Sequence, residues 1–247
     1  MIISFFEEYP TRKNLGKLKL VTWPTKLYVA ARSLKEFNKI KASIRNRNVK
    51  EVVFWPILEK DEGYWISPFS DIEGLKRVLS EIGDVPVMID AELPFRRHPL
   101  LLFSQFFSFF SNRKMIRDFI RNHDNVYVSE YYPTGKFKEG IMSFLGLHFN
   151  LRRHKCNVIK MVYHSMHHFD KQFITEKLKA GKKEFGGRFM VAYGTIAKGV
   201  AGNEPLLSLN QLREDLEIAK EVGIKEVIIF RLGGLNKDYC SVIKELC

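Results

Sequence analysis

The sequence predicts an α/β chain folded as a single (β/α)8 TIM barrel. Three observations carry this. Eight short apolar runs recur along the chain, helical patterns lie between them, and a length of 247 residues suits one closed barrel. No linker or low-complexity stretch interrupts the pattern, so residues 1–247 read as one domain.

The first strand, Ile2–Phe6, runs straight into Glu7 and Glu8, as a strand does and a signal peptide does not. The second, Lys26–Ala31, leads to a helix over Ser33–Arg45, where Ser33 and Glu36 form a capping box. Strand three is Glu51–Trp55, and the next helix, Asp71–Ile82, opens on an Asp cap and stops at Gly83. Strand four, Val85–Asp90, precedes a long helical pattern, Leu100–Asn122. Strand five, Val126–Glu130, precedes Lys136–Leu147, and strand six, Val158–Tyr163, precedes Asp170–Ala180. Strand seven, Phe189–Gly194, precedes Ser208–Val222, which stops at Gly223; strand eight, Glu226–Arg231, precedes Asn236–Leu246. Most strands are rich in β-branched and aromatic residues, as strands buried on both faces are. A doubly wound open sheet is the alternative, but no GxGxxG turn follows the first strand.

Hydrophobic residues make up 45% of the chain, with 20 Phe, enough for a packed core. The net charge is +12, spread over Arg45–Arg47, Arg96–Arg97, Arg113–Lys114, Arg152–Lys155 and Lys182–Lys183. Such a balance suits an anionic partner or a well-solvated surface. No nucleic-acid module motif is present, so nucleic acid is not the expected partner. Cys156, Cys240 and Cys247 lack metal-ligand spacing, and their low, odd number fits a reducing, cytoplasmic location. The longest apolar stretch, Pro99–Phe110, is too short to span a bilayer and contains Ser104, Gln105 and Ser108.

In a parallel barrel the loops after the strands build the site. Acids and aromatics gather there: Glu7-Glu8, Trp55, Glu62-Gly63-Tyr64-Trp65, Asp90-Ala91-Glu92, Glu130-Tyr131-Tyr132, Tyr163-His164, Tyr193 and Arg231. On a strand, Asp90 and Glu92 would share a face, and two close carboxylates can keep one protonated as a general acid. The alternative is a helix cap or a pair with Arg96 or Arg97. Glu130 is a second candidate acid or nucleophile, with a salt bridge as its alternative. Either Glu7 or Glu8 faces inward; Glu8 is taken as the binding candidate.

Trp55, Tyr64, Trp65, Tyr131 and Tyr132 would supply flat faces for sugar rings, or else pack between loops, and Tyr193 is a further substrate-binding candidate. His164 and Arg231 complete the expected substrate-binding set. No cofactor is expected; a divalent metal held by His164, His167, His168 and the acids is the alternative, although HxH and HExxH motifs are absent. Gly194, Lys198 and the run Arg231-Leu232-Gly233-Gly234-Leu235-Asn236 fit a phosphate site, or simply a turn.

Asp90-Ala91-Glu92 at the end of strand four and Met161-Val162-Tyr163 on strand six resemble the chitinase-like family 18 glycoside hydrolases, which carry a DxE and an M-x-Y motif there. The resemblance covers only these short pieces. It implies Glu92 as proton donor, Asp90 as its orienting partner and Tyr163 as a contact to the reacting sugar. Val85-Pro86-Val87-Met88-Ile89 replaces the family's longer acidic run, His164 stands where the family has Asp, and Arg231 where it has Trp.

The pattern over Leu100–Asn122 has more apolar surface than one barrel-facing stripe needs, and Arg113, Lys114, Arg117 and Arg121 follow it. It reads as a broad core face, a homodimer contact or a peripheral membrane contact. The expected function is a glycoside-hydrolase-like enzyme acting on a small-molecule or oligosaccharide substrate. A metal-dependent isomerase or hydrolase of a sugar or phosphorylated metabolite is the first alternative. A non-catalytic barrel that binds a partner or membrane through the Phe-rich helix is the second.

Overall fold

A computed structural model describes residues 1–94, 105, 107–131, 136–145, 148, 154–165 and 169–247. Eight parallel strands close into a barrel in sequence order, β1-β2-β3-β4-β5-β6-β7-β8. They are β1 (Ile2–Glu7), β2 (Thr25–Ala31), β3 (Val49–Pro56), β4 (Val87–Asp90), β5 (Val126–Tyr131), β6 (Asn157–Val162), β7 (Phe189–Gly194) and β8 (Glu226–Phe230). The expected (β/α)8 architecture is the observed one, with strand ends shifted by one or two residues. The helices among the described residues are α1 (Arg12–Leu15), α2 (Leu34–Ser43), α3 (Ile72–Glu81), α4 (Phe109–Asn122), α5 (Lys136–Phe144), α6 (Lys171–Phe185), α7 (Leu209–Val222) and α8 (Lys237–Leu246).

Local chemistry sets most helix starts. Asp71, Asp170, Ser208 and Asn236 each accept a hydrogen bond from the backbone N–H three residues on. Gly223 ends α7 in the left-handed conformation, with φ of 75°. Three helices depart most from expectation. Among the described residues, the pattern over Leu100–Asn122 is helical only from Phe109, since Gln105, Phe107 and Ser108 lie in turns. The sequence showed no helix after β1; one short turn forms there, capped by the Thr11 hydroxyl. Helix α6 runs past Ala180 to Phe185, and Gly181 within it faces the Phe189 ring, where an added Cβ would lie 2.3 Å from ring carbons. The glycine there serves close packing and does not end the helix. Residues 95–104 and 106, which include the start of the Phe-rich pattern, lie outside the described residues.

The chain groups into two compact units: Met1–Ala30, Ile40–Val53 and Ile159–Cys247 form one, Ala31–Lys39 and Phe54–Val158 the other. In the first, β1 is flanked by β2 and β8, and β7 pairs with β8. The Tyr28 hydroxyl on β2 lies 3.9 Å from Met190 Sδ on β7. These strands are not neighbours in the ring, so both side chains point inside. The ladder register then puts Ser4, Phe6, Ile228, Phe230, Ala192 and Gly194 on the interior face.

In the second unit, β4 lies between β3 and β5, with Phe54 beside Val87 and Asp90 beside Ser129. Phe54 stacks on Phe37 of α2 at 4.9 Å, which fixes Phe54, Val87, Ile89, Val128 and Glu130 on the outer, helix-covered face. Trp55, Met88, Asp90, Tyr127, Ser129 and Tyr131 take the opposite face. Among the described residues no helix is long and apolar enough to cross a membrane.

Candidate active site

At the end of β4, Asp90 is buried, 5% exposed, on the same face as Ser129. The strand stops there. The Glu92 amide donates to the Asp90 carbonyl at 3.2 Å, a tight three-residue turn centred on Ala91. Strand alternation therefore does not decide where Glu92 points; the turn ties its backbone to that of Asp90. Glu92 is half-buried, so one carboxylate is sequestered and its neighbour meets solvent. Arg96 and Arg97, the alternative partners, lie outside the described residues.

Glu130 is placed differently from expectation. It is fully buried on the outer face with Ile89 and Val128, and its Oε2 lies 2.9 Å from His148 Nδ1. The ladder does not bring it beside Asp90. Trp55 and Tyr131 share the Asp90 face, Trp55 buried and Tyr131 half-buried. Tyr64 is buried inside the loop after β3, edge-on to the half-buried Trp65 at 5.4 Å. Asn112 of α4 pins that loop by donating to the carbonyls of Pro68 and Ser70, both at 3.0 Å.

The first unit has its own strand-end chemistry. Glu7, fully buried, shares the outer face with Phe5. Its Oε1 accepts from the Tyr9 amide at 2.8 Å, Arg231 Nη1 at 3.0 Å and Asn14 Nδ2 at 3.2 Å, and its Oε2 from the Gly233 amide at 2.6 Å. Burial raises its pKa, and Arg231 and these donors oppose the rise. Arg231 also donates twice to the Lys198 carbonyl, at 3.0 and 2.8 Å, and its guanidinium lies 4.8 Å from the Tyr9 ring centre. The Gly233 amide that a phosphate reading needs is thus occupied by Glu7. Gly234 is required by close approach: an added Cβ would stand 1.8 Å from the Ile196 carbonyl oxygen.

Glu8 follows the interior parity of Ser4 and Phe6 and is buried. Its Oε2 and Glu204 Oε1 each lie 3.0 Å from the point where a Cβ on Gly199 would sit, beside the Phe230 ring. This gathering of acids helps push the Tyr9 phenol to about 12, burial being the larger cause and Glu8 the next. Tyr163 lies on the interior face, its ring centre 6.1 Å from that of Phe230. Tyr193 is buried on the outer face beside Ile229.

The His164 ring is engaged by helix α7. Its Nδ1 stands 2.8 Å from Asp215 Oδ1 on α7, which also accepts from Gln211 at 3.1 Å. Burial disfavours the imidazolium, but the hydrogen bond and charge of Asp215 outweigh it and raise the His164 pKa; burial likewise raises that of Asp215. His167, His168 and Tyr132 lie outside the described residues. Among the described residues no group of three or more His, Cys, Asp or Glu is placed to hold a metal ion.

Sequence reasoning missed Glu7, His148, Glu204 and Asp215 as partners. Asp215 carried a faint signal, an acid on the expected inner stripe of a helix with Leu212, Leu216 and Ala219. Glu204, in the loop after β7, had none beyond its position.

The strands and helices define a (β/α)8 barrel. Neither a protein-family model nor a curated sequence matches this chain. Its structure is similar to a family 18 chitinase from Pseudoalteromonas aurantia (TM-score 0.59, 9% identity, 99% of both chains). It is also similar to the PgaB glycoside hydrolase domain of Bordetella bronchiseptica (TM-score 0.55, 12% identity, 97% of this chain and 94% of that one). A chitinase from Chromobacterium violaceum matches at TM-score 0.56 and 8% identity, covering 99% of this chain and 98% of that one. At such identities the likeness is one of fold, and it is the fold that the Asp90-Ala91-Glu92 and Met161-Val162-Tyr163 resemblance implied.

Proposed function

We propose that the protein is a glycoside hydrolase in which Glu92 is the general acid and Asp90 orients it. The observation that carries this reading is the tether at the end of β4: a buried Asp90, a single tight turn and a solvent-reaching Glu92. Hydrolysis of a glycosidic bond needs a carboxylic acid that delivers a proton to the leaving oxygen and then takes one back from water. A neighbouring carboxylate would favour its protonated form, and Asp90, two residues back across that turn, is the candidate. Tyr131, on the Asp90 face at the end of β5, offers a ring for a sugar to pack on. The role of Tyr163 rests on the motif resemblance alone. The names of the similar structures support the class of reaction.

Glu130 faces the helix layer and pairs with His148, so this reading gives it no part as nucleophile. The attack then falls to water or to the substrate's own carbonyl oxygen, and a 2-acetamido sugar carries such an oxygen. Fluorogenic aryl glycosides with and without that group test the reading. Turnover should favour the acetamido sugars and collapse in Glu92→Gln; full turnover by Glu92→Gln on any cleaved substrate sinks the assignment.

A further inference from the structure

We infer that the apolar face shared by α4 and α5 docks the protein on an anionic lipid surface. Phe107 is 92% exposed, Phe110 65%, Phe144 59% and Ile141 44%. Phe110 and Phe144 belong to one patch, with Ile141 one turn before Phe144 on α5 and Phe107 in the turn that leads into α4. The buried Phe109 ring lies 5.2 Å from that of Phe110 and 6.0 Å from that of Phe144, and Arg113 of α4 donates to the Ser143 carbonyl of α5 at 2.8 Å. Large rings grouped in this way on a surface mark a contact.

The charge beside the patch selects the occupant. Lys114, Arg117 and Arg121 follow Phe110 at spacings of four, seven and eleven, which is one face of a helix. Helix α4 carries four cations, counting Arg113, and one carboxylate, Asp118, which takes both Lys114 at 2.8 Å and Arg121 at 3.8 Å. The cations crowd one another: burial, then Arg113 and Arg121, lowers the Arg117 pKa, and burial, then Arg121 and Arg117, lowers that of His154. Phenylalanines flanked by Lys and Arg suit the boundary of an anionic bilayer, where rings enter the acyl edge and cations meet phosphates. A second copy fits less well, because a twofold contact would bring these like charges together.

Topology puts the phenylalanine end of the patch, at the start of α4, at the Asp90 end of its unit. Only His123, Asp124 and Asn125 separate the end of α4 from β5, and His123 Nε2 lies 3.1 Å from the Val85 carbonyl, before the start of β4. The 14-residue helix therefore starts about 21 Å away, toward the Asp90 end of β4. The inference does not depend on the proposed activity, and its readout is separate.

The test is flotation of the full chain with vesicles of phosphatidylcholine alone and of equal parts phosphatidylcholine and phosphatidylglycerol. At about 0.1 M salt the protein should float with the anionic vesicles, and at about 1 M it should be released. Phe107→Ser/Phe110→Ser and Lys114→Glu/Arg117→Glu should each lower binding about tenfold while circular dichroism stays native. Three results would overturn the inference: wild-type protein that stays below the anionic vesicles at low salt, equal binding to both vesicle types, or undiminished binding by folded Phe variants. Dimerisation abolished by the Phe substitutions, without flotation of the wild type, would assign the face to a second copy instead.

Discussion

Two buried carboxylates stand at opposite ends of the paired strands β1 and β8, and they have been put to similar use. Glu226, the first residue of β8, accepts from Ser4 at 2.7 Å and Tyr28 at 3.0 Å and pairs with Lys26 at 3.1 Å. Glu7, the last residue of β1, accepts from Arg231, Asn14 and two backbone amides. Glu226 lies at the amino end, where a barrel keeps its stabilising contacts, and Glu7 at the carboxyl end, where it keeps its chemistry. Yet Glu7 is as fully engaged as Glu226. Position at the mouth does not make an acid catalytic. An acid buried and filled by internal donors, as Glu7 is, holds loops together; the half-buried Glu92 is the one proposed above as proton donor.

This comparison can be broken by substitution. Glu226→Ala leaves Lys26, Ser4 and Tyr28 without the buried acceptor and should cost about 3 kcal/mol, or about 6–12 °C in Tm, in thermal melts. Glu7→Gln keeps the shape, loses the ion pair with Arg231 and turns an amide donor toward existing donors. It should cost about 2 kcal/mol by urea denaturation. If either change abolished turnover without lowering stability, the structural assignment of that acid would be wrong.

Smaller effects test the periphery. Ser208→Ala removes the cap of α7, whose hydroxyl accepts from the Gln211 amide at 3.1 Å, and should cost about 1 kcal/mol. The His164–Asp215 pair should give a slope instead of a step. Both folded-state pKa values are raised, so the folded state holds its protons longer than the unfolded chain. The pair's contribution is full below the unfolded values and fades as pH rises through the folded ones. The Tm difference between wild type and Asp215→Asn should therefore narrow from about pH 4 upward; a difference that widens would reverse the assignment.

What could be read from sequence was what is local. Asp71, Asp170, Ser208 and Asn236 announce their helices because a cap acts within three residues, and the strands announce themselves by β-branched runs. What could not be read was the facing of side chains at strand ends. Strands buried on both faces show no alternation, so the sequence left Glu7 and Glu8 undecided and gave no sign that Glu130 and Tyr193 face outward. The ladder decides these, through pairings such as Phe54 with Val87 and Tyr193 with Ile229. Asp215 was hidden because its partner His164 lies 51 positions away.

The account turns on Glu92 being a catalytic acid while the fully engaged acids are structural. Turnover and Tm of Glu92→Gln, measured on the same preparation, test this most directly. The account predicts a loss of about 10²–10⁴-fold in kcat with Tm changed by no more than about 1–2 °C. Undiminished turnover, or a large fall in Tm, would contradict it.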